Sequence, residues 1–166
     1  MKITEKQSSA TILLHMRKNR KIVVDAYYHV STHINRNDGF LFTKNAKLLF
    51  IQVLKEAKKK YRFITKNFTI MSNHYHLLIK PLEGENLSRI VQWINAVFAM
   101  RINRINGSKG HVWGQRFFSR VIESIAGYVR VNKYIDENAV KARLVKRAEE
   151  WEYCGAYYLV QVCRRN

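Results

Sequence analysis

Apolar and polar positions follow two different periods along the chain, and these periods predict four strands and three helices. Segments rich in β-branched and aromatic residues predict strands, whereas apolar residues that recur every three or four positions predict helices. The predicted strands cover residues 22–34, 62–71, 74–80 and 117–123. The predicted helices cover about 43–60, 86–107 and 125–142, with Thr43 and either Asn86 or Ser88 as N-caps and Gly107 as a stop.

The order β-α-β-β-α-β-α predicts the topology of the sheet. Two β-α-β units joined by a hairpin are typical of a ferredoxin-like α+β fold, in which one antiparallel sheet carries its helices on one face. The third predicted helix is then an addition at the C-terminal side. Residues 1–20 show no clear periodicity, so we expect an N-terminal extension followed by one domain over residues 21–166.

Composition and charge indicate the kind of partner. The chain has 166 residues, and 47% of them are hydrophobic, which is enough for one buried core. Lysine and arginine number 30 against 12 acidic residues, giving a formal net charge of +18. Such an excess predicts a polyanionic partner, above all nucleic acid. Two cysteines, Cys154 and Cys163, exclude a disulfide framework and a Cys-rich zinc site.

The apolar segments are too short for a membrane span or a secretory signal. The apolar run near the start covers only residues 10–14, whereas crossing a bilayer takes about 18 residues. No small-residue cleavage site follows that run. We therefore expect a protein of the reducing cytoplasm, associated with the nucleoid and without a membrane partner.

Two long windows contain no acidic residue, and in both the basic residues alternate with aromatic ones. The windows run from Glu56 to Glu83 and from Glu85 to Glu123. Cationic side chains hold a phosphate backbone, and aromatic faces stack on unpaired bases. We expect the 58–60 segment and the 106–115 loop to grip the stem of a DNA hairpin. The predicted DNA-binding residues are Lys58, Lys59, Lys60, Arg62, Arg89, Lys109, Trp113 and Arg116.

The sequence His74-Tyr75-His76 is the sharpest chemical signal. Residues two apart in a strand point to the same face of the sheet, so the two imidazoles can converge on one divalent cation. Imidazole ligands suit Zn, Mn, Fe, Ni and Cu, and added oxygen ligands and water shift the preference toward Mn or Mg. A His-x-His pair is by itself more often structural than metal-binding.

The last predicted helix supplies a candidate nucleophile. Tyr134 and Asn138 are four residues apart and therefore lie on one helical face. A tyrosine hydroxyl can attack a phosphodiester and form a covalent phosphotyrosine, and the Asn138 amide oxygen can complete a metal shell. Tyr128 is the rival nucleophile, but it shares an apolar stripe with Val131 and Ile135 and is the better core candidate.

These motifs resemble those of the HUH (His-hydrophobe-His) single-tyrosine transposases, specifically the REP-associated tyrosine transposase branch. The resemblance covers about residues 22–160 and is most specific around the histidine pair. The matching segments are Tyr27-Tyr28-His29-Val30, Met71-Ser72-Asn73-His74-Tyr75-His76-Leu77-Leu78-Ile79, Asn86-Leu87-Ser88-Arg89, Gly110-His111-Val112-Trp113-Gly114-Gln115-Arg116-Phe117, Tyr134-Ile135-Asp136-Glu137-Asn138-Ala139-Val140-Lys141-Ala142 and the Trp151-x-Tyr153 tail.

The resemblance implies a reaction and its residues. The reaction is metal-assisted cleavage and rejoining of single-stranded DNA, often at hairpin-forming repeats, with Mg²⁺ or Mn²⁺ as the cofactor. His74 and His76 would bind the metal with Asn138 as the third ligand. Tyr134 would become linked to the 5′ phosphate and leave a 3′ hydroxyl. Relatives of this kind occur as dimers or as monomers, so the oligomeric state stays open.

Three departures from the family pattern leave other functions possible. Ala139 stands where proline is common, residues 31–35 stand where relatives often carry Ser-Arg-Gly, and Cys154-Gly155 replaces a usual Ser-Ser pair. One alternative is a basic DNA- or RNA-binding protein without catalysis, either domesticated or inactive. Another is a metal phosphoesterase that uses water as its nucleophile.

Overall fold

The computed structural model describes residues 22–35 and 40–164. The predicted extension, residues 1–20, lies outside the described residues. The elements are β1 (Tyr27–His33), α1 (Lys44–Lys60), β2 (Phe63–Ile70), β3 (His74–Pro81), α2 (Leu87–Asn106), β4 (Phe118–Ile122), α3 (Ile125–Asp136), α4 (Asn138–Lys141), a 3₁₀ turn (Ala148–Glu150) and α5 (Gly155–Cys163).

The four strands form one antiparallel sheet with the order β2-β3-β1-β4. β3 lies between β1 and β2, although it follows both in sequence. In each of the two β-α-β units, one strand of the other unit lies between the unit's own two strands. This is the predicted ferredoxin-like α+β topology, and the structure confirms it. In the described part of the chain, no helix is long and apolar enough to span a membrane.

One face of the sheet and the two long helices enclose the core. Residues of β1 and β3 that point to this face include Tyr28, Val30 and Tyr75, all nearly or fully buried. The Tyr75 hydroxyl donates to Asn95 Oδ1 on α2 at 2.7 Å and accepts from Thr32 Oγ1 at 3.0 Å, which satisfies a polar group deep inside. Tyr75 therefore anchors the strand so that His74 and His76 point away from the core.

The predicted helix caps are confirmed. The Thr43 side chain accepts from Ala46 N–H, and the Asn86 side chain accepts from the first turn of α2. Gly107 ends α2 with φ 62°, a left-handed conformation that glycine adopts without strain. The sequence thus predicts the limits of both long helices well.

Two elements are shorter in the structure than the sequence predicts. The first strand begins at Tyr27 and not at residue 22, because residues 22–26 form a turn in which the Tyr28 hydroxyl bonds to both the N–H and the carbonyl of Val23. The last helix does not continue to residue 142 but ends at Asp136 and resumes as α4. There the Asn138 side chain donates to the Tyr134 carbonyl oxygen at 2.6 Å, competing with the helical backbone bond.

Helix α3 lies on the other face of the sheet, and a buried asparagine fastens it there. Asn67 on β2 donates through Nδ2 to Asp136 Oδ1 at 2.7 Å and to Asn132 Oδ1 at 3.1 Å, both on α3. Its Oδ1 accepts from the N–H of Phe68 at 2.7 Å. Burial raises the pKa of the Asp136 carboxyl, while the bond from Asn67 opposes that rise. We call Asn67, Asn132 and Asp136 the asparagine clamp.

The C-terminal tail packs against β2 and encloses the clamp. Ile70 N–H donates to the Tyr153 carbonyl, and the Trp151 indole donates to the Ile70 carbonyl. At Gly155 a Cβ atom would overlap Asn67 Oδ1. The glycine that departs from the family pattern is therefore the residue that lets the tail approach the clamp this closely.

We expect Asn67→Ala to loosen α3 selectively. The substitution removes both hydrogen bonds from β2 to α3 and leaves Asp136 partly buried with fewer partners, a loss of about 1–2 kcal/mol. Amide hydrogen exchange in α3 should accelerate roughly 5- to 30-fold, since 1.4 kcal/mol corresponds to about tenfold. Hydrogen exchange read by mass spectrometry measures this change.

The matched control is Asn106→Ala, at the exposed end of α2. It should leave exchange in α3 unchanged. Unaltered protection of α3 in the Asn67 variant would show that the clamp does not hold the helix.

Candidate active site

Four histidines from two adjacent strands lie together on the sheet face that α3 partly covers. Antiparallel pairing sets His33 opposite His74, and the two rings stack with centroids 4.9 Å apart. The rings of His74 and His76 are 5.0 Å apart, as are those of His29 and His76. The predicted convergence of His74 and His76 on one side of the sheet is thus present in the structure.

Hydrogen bonds occupy one nitrogen of each imidazole in the pair. His74 Nδ1 lies 2.8 Å from Asn73 Oδ1, and His76 Nδ1 lies 2.9 Å from His29 Nε2. An amide oxygen only accepts, so His74 Nδ1 donates and its Nε2 carries a lone pair. If His76 Nδ1 likewise donates its hydrogen bond to His29, then Nε2 is the nitrogen on both rings that can bind a metal ion. Such a partner on the far nitrogen is what orients histidine as a metal ligand.

The cluster favours neutral imidazoles. Burial, with smaller effects of the neighbouring histidines, lowers the pKa of His76 to about 3. Burial also lowers the pKa of His74 and of His29, helped by repulsion from His33 and from Arg120 respectively. Because a histidine binds metal only when it is deprotonated, these rings are available as ligands throughout the neutral pH range.

Tyr134 reaches this cluster from α3 of the same chain. Its ring centroid is 5.2 Å from that of His76 and 5.8 Å from that of His29, and 41% of the residue is exposed. Lys141 Nζ lies 5.6 Å from the centre of the tyrosine ring. A phenol, a cation and the imidazole pair therefore share one solvent-accessible site within a single chain.

The rival tyrosine lies elsewhere. The Tyr128 ring packs edge-on against Tyr27 at 5.2 Å, beyond the end of the histidine cluster. Burial raises the pKa of Tyr128, which makes its hydroxyl harder to ionise. Of the two sequence candidates, Tyr134 is thus the one whose ring contacts the histidines.

Asn138 also lies beside the pair. Its Nδ2 donates to the Tyr134 carbonyl at 2.6 Å, and its side chain lies close enough to His74 to oppose the lowering of the His74 pKa by burial. In residues 22–35 and 40–164 no group of three or more His, Cys, Asp or Glu side chains is arranged to hold a metal ion. A cation held by His74 and His76 would therefore take its third protein ligand from an amide, and Asn138 is suitably placed. The donor set of two imidazoles and an amide oxygen fits Mn²⁺ or Mg²⁺ completed by water.

Most of the predicted DNA-binding residues lie far from the histidines. Lys58, Lys59 and Lys60 end α1, and Arg62 precedes β2, whose first residue pairs with the last residue of β3. His74 is the first residue of β3, so the two groups lie at opposite ends of the sheet, about 23 Å apart along the strand. Arg89, in the first turn of α2, lies at the same distant end.

The loop between α2 and β4 lies at the histidine end. Lys109 and Arg116 are exposed in this loop, and Arg116 lines a cavity next to His33. Trp113 is used differently: its indole donates to the Asn95 carbonyl, and its ring packs against Phe50, Phe98 and Tyr75. Since packing occupies that ring, it is the weakest candidate for stacking on a base.

Sequence reasoning did not assign roles to His29, His33 and Phe118, although all three line the site. His29 and His33 share a face by the two-residue period of β1, which was a readable signal. Their contacts with His76 and His74 depend on the pairing of β1 with β3, which no local pattern specifies. Phe118, the first residue of β4, is exposed, whereas the preceding Phe117 is buried.

Comparisons with known proteins identify a family and two similar solved structures. The family model of IS200-like transposases matches residues 22–138. A solved structure of a REP-associated tyrosine transposase bound to a REP hairpin has a TM-score of 0.74 and 19% identity, covering 88% of this chain and 86% of that one. A proposed transposase from Deinococcus radiodurans has a TM-score of 0.51 and 15% identity, covering 74% and 97%.

No curated protein sequence matches the chain. At these identities the two solved structures establish only the fold, which is the one described above. The family match, however, extends over more than half of the chain and includes the histidine pair, Tyr134 and Asn138. This chain therefore belongs to the IS200-like transposase family.

Proposed function

We propose that the protein is a metal-dependent single-strand DNA endonuclease and strand transferase that works through a 5′-phosphotyrosine intermediate. The observation that carries the proposal is the 5.2 Å approach of the Tyr134 ring to the His76 ring within one chain. A nucleophile beside a pair of neutral imidazoles is the arrangement that metal-assisted phosphodiester cleavage needs.

The reaction exchanges one phosphodiester bond for another. The Tyr134 oxygen forms a bond to the phosphorus, the bond from phosphorus to the 3′ oxygen breaks, the phenol loses its proton and the 3′ oxygen gains one. A divalent cation, Mg²⁺ or Mn²⁺, would supply positive charge at the phosphate oxygens. Since the phosphotyrosine keeps the bond energy, a 3′ hydroxyl can attack it and rejoin strands without a nucleotide cofactor.

Side chains around the site have separate tasks in this scheme. His74, His76 and Asn138 would hold the cation, and His29 would fix the orientation of His76 through the 2.9 Å bond. Lys141, which also pairs with Glu137 Oε2 at 2.9 Å, would place a positive charge beside the nucleophile, since its Nζ lies 5.6 Å from the centre of the Tyr134 ring. The asparagine clamp holds α3, so a single chain would be competent without a partner subunit.

The proposed substrate is hairpin-forming DNA with a single-stranded flank. A formal charge of +18 supports binding to a polyanion, and the solved relative is described as bound to a REP hairpin. Lys109 and Arg116 would contact phosphates near the site. The distant group of Lys58, Lys59, Lys60, Arg62 and Arg89 would contact a stem that extends along the protein.

We expect Tyr134→Phe to abolish cleavage while DNA binding is retained. The substitution removes only the hydroxyl, so the covalent adduct should fall more than about a thousandfold. The protein is incubated with Mn²⁺ or Mg²⁺ and labelled hairpin DNA from a partly randomised library. Denaturing gel electrophoresis then measures how much DNA stays attached to the protein in SDS.

Tyr128→Phe is the matched control and should form the adduct at the wild-type rate. An adduct in the Tyr134 variant would move the nucleophile elsewhere. Cleavage by the wild-type protein without an adduct would indicate attack by water, and binding without either would indicate a DNA-binding protein that has no catalytic activity.

We expect His74→Ala and His76→Ala each to weaken Mn²⁺ binding by more than about 100-fold, because each removes a ligand from a small set. Titration calorimetry with Mn²⁺ alone measures this directly, and cleavage should stop when EDTA removes the metal.

The control His111→Ala changes an exposed histidine in the loop between α2 and β4. It should bind Mn²⁺ as the wild type does. Undiminished cleavage in EDTA, or equal Mn²⁺ binding by all variants, would contradict the metal role of the pair.

A further inference from the structure

A cavity of about 770 Å³ opens beside the histidine cluster. It lies where β1 ends and where β3 and β4 begin, and its volume is within the range of about 300–1,000 Å³ typical of small-ligand sites. His33 and Asn73 form the wall shared with the cluster, since His33 stacks on His74 and Asn73 hydrogen-bonds to it. The lining includes His33, Phe42, Asn73, Gln115, Arg116 and Phe118.

The walls of this cavity are fixed by the backbone. Gly114 N–H donates to the His33 carbonyl at 3.1 Å, and Asn35 N–H donates to the Val112 carbonyl at 3.0 Å. A Cβ on Gly114 would lie 3.2 Å from the Asn35 Cα, so any larger residue in the loop would require the end of β1 to shift slightly. The Trp113 ring, packed into the core, holds the same loop from below. The cavity is thus formed before any ligand arrives.

Two phenylalanines face this cavity with much of their surface in water. Phe118 is 54% exposed and Phe42 is 66% exposed, although neighbouring aromatic residues such as Phe117 are buried. The pairing of β4 with β1 determines on which face of the sheet Phe118 lies. Phe118 is opposite Ser31 and therefore on the face that carries the histidines. Its ring meets His29 edge-on at 6.2 Å, so one face of Phe118 is supported by the active site while the rest stays open.

Cationic groups flank the same opening. Arg116 lines the cavity, and Arg120 lies two residues along β4 from Phe118, opposite His29 and exposed. An exposed aromatic face between arginines and next to a phosphate-cleaving site matches the two components of a single strand, bases that stack and phosphates that need countercharge. A ligand of carboxylate or simple phosphate chemistry would use the arginines but not the aromatic faces.

We propose that this cavity receives an unpaired nucleotide next to the scissile phosphate, with its base stacked on Phe118 and Phe42 as the opposite wall. The proposal rests on the proposed function and adds the site that holds the strand. Arg116 and Arg120 hold the adjoining phosphates. Because His33 lines the cavity and stacks on His74 with ring centroids 4.9 Å apart, a base held there lies next to the imidazole pair.

The test compares two probes of equal charge, a twelve-residue oligothymidylate and an abasic strand of the same length. Stacking is tolerant of sequence, so the natural target is not needed. At one fixed ionic strength, the wild-type protein should bind the thymidylate at least about 5-fold more tightly, and Phe118→Ala should remove most of that preference. Fluorescence anisotropy gives both affinities, and a single 2-aminopurine in the strand should be quenched by the wild type but not by the variant.

Two further variants make the result specific. Phe118→Trp should keep the preference, because it restores an aromatic face. Met100→Ala, which changes a 64% exposed apolar residue on α2, should behave as the wild type. Circular dichroism checks that every variant is folded, as expected for a largely exposed side chain on an edge strand.

The outcomes separate this proposal from the cleavage reaction. Equal weakening of both probes in Phe118→Ala, or an unchanged preference, would overturn the nucleotide site even if the Tyr134 adduct forms. A preference that depends on Phe118 in a protein that forms no adduct would support the nucleotide site and overturn the cleavage activity.

Discussion

The antiparallel register between β1 and β3 is the constraint on which the site depends. It sets His33 opposite His74 and brings His29 diagonally to His76. The same register places Val30 and Tyr75 in the core on the other face. A slip of one residue would turn the histidines inward and the apolar residues outward. The burial of the core therefore places the imidazoles on one face of the sheet, where the bond between His29 and His76 and the stacking of His33 on His74 set their orientation.

A second constraint fixes where the tyrosine lies. Helix α3 is attached to β2 through Asn67, and the tail closes over Asn67 because Gly155 lacks a side chain. Several polar contacts of the buried Asn67 thus position α3, a helix in which Ile135 is the one buried residue. Buried hydrogen bonds are directional, so they specify the rotation of α3, and with it the side on which Tyr134 emerges, more closely than apolar packing would.

Local features were predictable from the sequence, and features that depend on contacts between distant segments were not. Thr43, Asn86 and Gly107 mark helix ends by their own chemistry, and the two-residue period placed His74 and His76 on one face. By contrast, the attachment of α3 to the sheet comes from Asn67 on β2, which is 65 residues from Asn132 and 69 residues from Asp136 in the sequence. The basic cluster at Lys58–Lys60 could be found in the sequence, but its location at the far end of the sheet could only be seen in three dimensions.

The presence of a single candidate nucleophile and its histidines in one chain has a consequence for stoichiometry. If Tyr134 is the attacking group, one molecule can carry only one strand end at a time, because the hydroxyl is consumed until a 3′ hydroxyl releases it. Joining the ends of two separate breaks would then require either two molecules brought together by the DNA or two successive turnovers on one. Which ends meet would then depend on how the folded DNA presents them to the tyrosine.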